Sequence, residues 1–280
     1  MGYKPTKGLI SERGIIHASQ GQDAVGVLAR TVEDTKHITV ALAEQCEHDR
    51  TLPYSGHLEP AHWAAAHFGN LCNAENFALT HVRIGVVSGV ADIQKLPSHK
   101  AECFEQTVRL LQERAGAQVA LCVNVEGARE YETLSQADRQ IVLDIEMKIA
   151  INSYLSSLQT NPQNVNNLES LIDFIKACPE EEYPARNVAG LERAEATDPN
   201  VKNYWGMLAK DRYFARRIEL TLDRYKCDVL LVPALSTTLQ TFAARAGSPV
   251  MSVPMGCFVE DTAVEIDPKN GLVTVAPGIP

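Results

Sequence analysis

Arg83-Ile84-Gly85-Val86-Val87 and Gln118-Val119-Ala120-Leu121-Cys122-Val123 bracket a stretch with helical spacing. Each bracket is a short apolar run rich in β-branched residues, the pattern of a buried strand. Between them Ser98 is read as a helix cap, and Phe104, Val108 and Leu111 recur three and four residues apart on one face. Gly89 and Gly116 punctuate the boundaries. Strand, helix and strand in this order predict a βαβ unit with parallel strands, and hence an α/β fold.

The pattern extends in both directions. Asp228-Val229-Leu230-Leu231-Val232-Pro233 is continuously apolar and predicts a strand buried on both faces. A helix from about Leu239 to Ala246 follows, ended by Gly247, and then a strand over 249–254. Val264-Glu265-Ile266 and Leu272-Val273-Thr274-Val275 flank a turn at Pro268-Lys269-Asn270-Gly271, which predicts a hairpin. A helix is expected from about Thr31, with Glu33 and Asp34 in its first turn. Ser135-Gln136-Ala137-Asp138 caps a long helix that runs through Ile141, Ile145, Ile149 and Tyr154 toward Leu158 and is broken by Asn161-Pro162. Further helices are expected from Asn167 to Cys178, and from Asp198-Pro199 to about Tyr225 as one long amphipathic element. Pro179-Glu180-Glu181-Glu182 reads as an acidic surface loop, and residues 49–78 show no clean period. No internal repeat or low-complexity linker divides the 280 residues, so one domain over 1–280 is the simpler reading.

Composition narrows the function classes. The net charge is −9, which argues against nucleic acid and against an anionic membrane surface as main partners. No apolar run approaches the roughly 18 residues needed to span a bilayer. The seven cysteines, Cys46, Cys72, Cys103, Cys122, Cys178, Cys227 and Cys257, include no C-x-x-C and read as reduced thiols of a cytoplasmic protein. There is no Walker A, no G-x-G-x-x-G and no G-x-S-x-G; Gly85-Val86-Val87-Ser88-Gly89 has the wrong spacing. His57, His62 and His67 surround Trp63, but spacing by five puts His62 and His67 on different helix faces, so neither metal nor cofactor is expected. Asp138, Asp144 and Glu146 read as capping and solvated helix residues. Gly8, Gly14, Gly21 and Gly26 punctuate a loop that either lines a pocket or packs on a sheet.

That loop carries a more specific signal. Gly2-Tyr3-Lys4-Pro5-Thr6-Lys7-Gly8-Leu9-Ile10-Ser11, followed by Asp23-Ala24-Val25-Gly26-Val27-Leu28-Ala29-Arg30-Thr31-Val32-Glu33-Asp34, resembles the amidase signature family. Its members carry G-[LYIV]-K-P-T-x-G-x-x-S-x-x-G and then D-x-x-G-P-[ML]-A-R-T-V-x-D. Arg83-Ile84-Gly85-Val86, the segment Leu168 to Phe174, Asp228 to Pro233, and Ala244 to Gly256 resemble further family motifs in the same order. Met1-Gly2-Tyr3-Lys4-Pro5-Thr6 also fits a short myristoylation pattern, which the K-P-T loop explains far more specifically.

The resemblance implies a twisted mixed sheet flanked by helices. It implies hydrolysis of a carboxylic amide to an acid and ammonia or an amine. The implied chemistry uses a nucleophilic Ser, a second Ser on a cis peptide and a Lys base. A Lys acts as a base only when neutral, so burial must lower its pKa. The stretches that hold those three groups in the family, G-S-S-G-G-S and G-[ST]-D-[TG]-G-G-S-I-R among them, precede K-P-T. The expectation is therefore an incomplete amidase-signature fold, cut at both ends, with no catalytic residue of its own. Lys4 and Ser11 match loop positions and not the reacting residues; Val27 and His17 stand where the family usually or often has Pro. The implied partner is a small-molecule amide, with pairing to an intact amidase as a further expectation. A non-catalytic remnant or partner-binding protein is the alternative reading.

Overall fold

The computed structural model describes residues 1–44, 78–90, 93, 96–198, 204–233, 236–268 and 271–279. The three histidines around Trp63, together with Cys46, Cys72, Pro199 and the Lys269-Asn270 turn, lie outside them.

The parallel unit forms as its sequence predicts. Strand β3 (Arg83–Ser88) pairs in parallel with β4 (Gln118–Asn124), and α2 (Ser98–Glu113) is the crossover. Phe104 and Val108 are the buried residues of α2. Pro97, not Ser98, occupies the cap, and no side chain bonds the first turn there. Gly116 turns the chain into β4 at φ +72°. Strand β5 (Val229–Leu231) pairs in parallel with the other side of β3, giving the order β4-β3-β5. The Arg83 N–H donates to Asp228 Oδ2 at 2.7 Å, which clamps the start of this pair.

One expectation fails at β5. Its run of apolar residues predicts burial on both faces, yet Val229 is 45% exposed and Leu230 and Leu231 are only half-buried. The reason is position: among the described residues β5 is an outer strand, and β3 is the central one.

Two small antiparallel sheets complete the strands. Strand β1 (Gly2–Lys4) lies between β2 (Val27–Leu28) and β6 (Val250–Ser252). Strands β7 (Glu265–Ile266) and β8 (Val273–Val275) form the expected hairpin.

Caps place the helices. Thr31 Oγ1 accepts the Asp34 N–H at 3.0 Å and opens α1 (Val32–Glu44). A short α3 (Ala128–Thr133) starts at Gly127, whose φ is +81°. Ser135 accepts the Asp138 N–H and opens α4 (Gln136–Ser156). Asn167 and Ser170 form a reciprocal capping box at α5 (Leu168–Ala177). Ser135→Ala is expected to cost about 1 kcal/mol, because one orphan N–H loses its acceptor; urea denaturation of the variant checks this.

A short α6 (Ala189–Glu195) is absent from the sequence reading. The single long helix expected to reach Tyr225 is instead two, α7 (Tyr204–Ala215) and α8 (Arg217–Tyr225), joined at Arg216. Helix α9 (Thr237–Ala246) ends at Gly247, φ +66°, as expected.

Among the described residues, burial concentrates in two clusters. Val87, Val90, Tyr131, Phe214, Leu239 and Phe242 fill the space between the parallel sheet and α3, α7 and α9. Ile151, Leu168, Ile172, Val188 and Ala194 join α4, α5 and α6. Among the described residues no helix is long and apolar enough to cross a membrane.

Candidate functional site

The glycine-rich loop leaves β1 at Pro5 and returns at β2, so the β1–β2 pair holds both of its ends. Two glycines are required by close approach. A Cβ at Gly26 would stand 2.9 Å from the Tyr3 carbonyl oxygen, and Gly247 at φ +66° leaves 3.0 Å to Lys7 Cβ. The Lys7 N–H donates to the Gly247 carbonyl at 2.9 Å, which seats the loop on the end of α9.

Inside the loop, Lys7 is the organising cation. Its Nζ donates to Glu12 Oε1 and Oε2 at 2.9 and 2.8 Å and to the Asp23 carbonyl at 2.7 Å. Asp23 Oδ2 accepts the N–H groups of Ala18 and Ser19 at 2.7 and 2.9 Å. His17 lies between the two acids, with Nδ1 3.6 Å from Asp23 Oδ2 and Nε2 4.0 Å from Glu12 Oε2. Glu12, Ile15, His17, Asp23, Ala24 and Val25 line a half-open pocket of about 360 Å³. Of the two loop readings the sequence leaves open, both have a counterpart: the loop lines this pocket, and Gly26 lies against the main chain of β1.

Lys4 is half-buried and donates to the Pro5 carbonyl at 3.1 Å. Burial pushes its ammonium below its ordinary range; Lys7's charge pushes the same way and Glu12 opposes both. Ser11 Oγ accepts the Arg13 N–H at 3.2 Å. These bonds direct Lys4 to the Pro5 carbonyl and Ser11 to the Arg13 N–H rather than to each other.

Beneath the loop lies a polar group that the sequence reading assigned to solvent. Ser19 is fully buried, and its hydroxyl donates to Glu146 Oε2. The Tyr204 hydroxyl donates to Glu146 Oε1 at 3.4 Å. Asp144 is 2% exposed and receives Arg193 in a fork, Nε at 2.7 Å and Nη2 at 3.0 Å. Asp138 alone keeps the expected capping role, accepting the Ser135 hydroxyl at 2.7 Å. Asp144 is therefore buried and Glu146 half-buried, because α6 and the loop pack on α4, which no local spacing reveals. Nearby, burial pushes the Asp211 carboxyl up to about 6, against Arg245 and helped by Glu146. Arg245 Nη2 forms an ion pair with Asp211 Oδ1 at 3.1 Å and donates a hydrogen bond to the Arg139 carbonyl at 2.8 Å.

Among the described residues, no group of three or more His, Cys, Asp or Glu is placed to hold a metal ion. The described cysteines, Cys103, Cys122, Cys178, Cys227 and Cys257, are free thiols.

Comparison with known proteins agrees with the loop motif. The family model described as Amidase matches residues 1–263. The chain is 30% identical over 291 residues to a protein of Arthroderma benhamiae named "Putative amidase", covering all of this chain and 46% of that protein. It is 25% identical over 260 residues to a probable amidase of Arabidopsis thaliana, covering 91% of this chain and 46% of that one. The chain thus spans about half the length of the curated relatives it matches. Among solved structures it superposes on the peptide amidase of Stenotrophomonas maltophilia with a TM-score of 0.70 at 24% identity, over 91% of this chain and 51% of that one. This last likeness shows the fold.

Proposed function

Because the chain belongs to the amidase family, we propose that it is the C-terminal part of a cytoplasmic amide hydrolase, a single partial domain over residues 1–280. The reaction is cleavage of a carboxylic amide to an acid and ammonia or an amine. The observation that carries this reading is the family match over residues 1–263, with the glycine-rich loop and the later strand motifs in family order.

Within this reading the reacting residues belong to segments not among these residues. Neither G-S-S-G-G-S nor G-[ST]-D-[TG]-G-G-S-I-R occurs in the sequence. Lys7 is bound to Glu12 and the Asp23 carbonyl, and so serves as a brace for the loop. Lys4 has the lowered basicity of a half-buried amine, and among the described residues its hydrogen bond goes to the Pro5 carbonyl. We assign catalysis to no residue of this chain, and no metal or cofactor to its chemistry. Its part is to supply a braced wall beside the substrate.

The purified 280-residue protein, assayed for ammonia release from simple carboxamides, is expected to show no turnover above the buffer rate. Ordinary amidase turnover would place the nucleophile within residues 1–280 and overturn the assignment. A second reading, a non-catalytic protein that binds an intact amidase, draws support from the same absence of the reacting stretches. Reading the coding sequence upstream of Met1 separates the two: an in-frame G-S-S-G-G-S favours the hydrolase.

A further inference from the structure

We propose that Glu146 is the positioning residue of the pocket-lining loop, a carboxylate strut on α4 whose hold on the loop depends on the charge of its neighbour Asp211. The proposal deepens the reading of this loop as a wall beside the substrate, and rests on that reading for what the loop does.

Ser19 is where the loop turns. Its hydroxyl accepts the Gln22 N–H at 3.2 Å, and its carbonyl accepts the N–H groups of Gln22 and Asp23 at 3.2 and 3.0 Å. Its own N–H donates to Asp23 Oδ2 at 2.9 Å. This knot fixes the stretch that carries Asp23, Ala24 and Val25 into the pocket wall. The same hydroxyl donates to Glu146 Oε2. A Cβ at Gly21 would stand 3.4 Å from both oxygens of that carboxylate, so the loop main chain lies against it. The Tyr204 hydroxyl donates to the other oxygen, Oε1, at 3.4 Å. Glu146 therefore ties the turn of the loop to α4, which carries it, and to α7, which carries Tyr204. Withdrawn from water, a carboxylate needs donors in place of its hydration, and here each oxygen has one. Ser19, Glu146 and Tyr204 all fall outside the family motifs, so the strut is additional to the brace that Lys7 provides.

The strut is charged and has an acidic neighbour. Asp211 of α7 meets Arg245 of α9 at 3.1 Å and Glu146 of α4 across the helix contact, and its own helix adds Tyr204 and Arg212. Burial lifts the Asp211 carboxyl to about 6 against the pull of Arg245, and Glu146 adds to the lift. Tyr204 stays a donor, because burial and the charges of Glu146 and Asp211 hold its hydroxyl above its ordinary range. While Asp211 is protonated, Glu146 meets no like charge from it. Above pH 6 the two carboxylates repel, and the repulsion is relieved when the loop lifts and water reaches Glu146. The closed arrangement raises Asp211, so it is favoured below about pH 6 and loosens as pH rises through that value.

The test is hydrogen exchange on the full 280-residue chain, corrected for the intrinsic pH dependence of exchange. It follows amides 18–26 of the loop, with amides 168–195 of α5 and α6 as the reference. At pH 5.5, Glu146→Ala is expected to lower protection of 18–26 about tenfold and to leave 168–195 unchanged. Glu146→Gln, which keeps an acceptor and loses the charge, should restore most of that loss. In the parent, loop protection should fall about threefold from pH 5 to 7.5, whereas in E146Q and in Asp211→Asn it should stay level. Ser19→Ala removes the loop end of the strut and should loosen 18–26 as E146A does; it carries the test if E146A fails to fold. Four results would overturn the proposal. They are loop protection unchanged in E146A or S19A, equal loosening of the loop and of 168–195, no recovery in E146Q, and a pH profile in E146Q that falls as the parent's does. Hydrogen exchange reads the loop and ammonia release reads chemistry, so failure of the strut and failure of the hydrolytic reading are told apart.

Discussion

Phe242→Ala is expected to lower stability by about 4 kcal/mol. Phe242 is fully buried, stacked on Phe214 at 5.4 Å between ring centroids and met edge-on by Tyr131 at 5.3 Å. These three rings join α9, α7 and α3 beneath the parallel sheet. Truncation removes the transfer energy of a benzyl group and leaves a hole walled by two other aromatic rings, which cannot collapse without giving up their own geometry. Domains of ordinary stability hold roughly 5–15 kcal/mol, so the variant should sit close to unfolding at 37 °C. Urea denaturation measures the loss, and Phe242→Leu, which keeps most of the volume, should cost about 1.5 kcal/mol or less. A loss below about 1 kcal/mol for the alanine variant would mean that the aromatic cluster does not join sheet to helices.

The second large effect is electrostatic and depends on pH. Asp211 titrates near 6 in the folded protein against 3.8 for the free side chain, because burial outweighs its ion pair with Arg245 and Glu146 adds repulsion. The folded state therefore holds this proton more tightly than the unfolded chain does. Its contribution to stability is fully present below about pH 4 and is lost as pH rises through 6. The shift corresponds to roughly 3 kcal/mol across that window. Asn resembles the protonated acid, so Asp211→Asn should match the parent near pH 4 and exceed it in stability by up to about 3 kcal/mol at pH 7–8. Denaturation at several pH values measures the difference, and a difference that stays flat from pH 4 to 7 would refute the burial argument.

The parts of this fold legible from sequence are those whose causes are local. Ser135, Asn167 and Gly247 announce helix ends because capping and left-handed turns are written within three or four residues. The β3-α2-β4 unit is legible because its apolar runs differ in period from the helix between them. The break at Arg216 is not, since no Pro or Gly marks it and both flanking segments keep helical composition. Helix α3 is hidden by its length of six residues. The loop motif leads to this part of the chain, but the Ser19–Glu146 bond joins residues 127 apart in sequence. Acidic residues on a helix are read as solvated by default, and only the loop and Arg193 arriving from elsewhere make Glu146 half-buried and Asp144 buried.

The strand that anchors the glycine-rich loop, β1, takes one of its two neighbours from residues 250–252. A contact of that span forms late, because its loop-closure entropy is met only after the intervening elements have condensed. The β3-α2-β4 unit and the capped helices have partners close by and can order during synthesis. The pocket-lining loop cannot gain its full support until β6 has been made, so the candidate site is among the last parts of the molecule to acquire its shape.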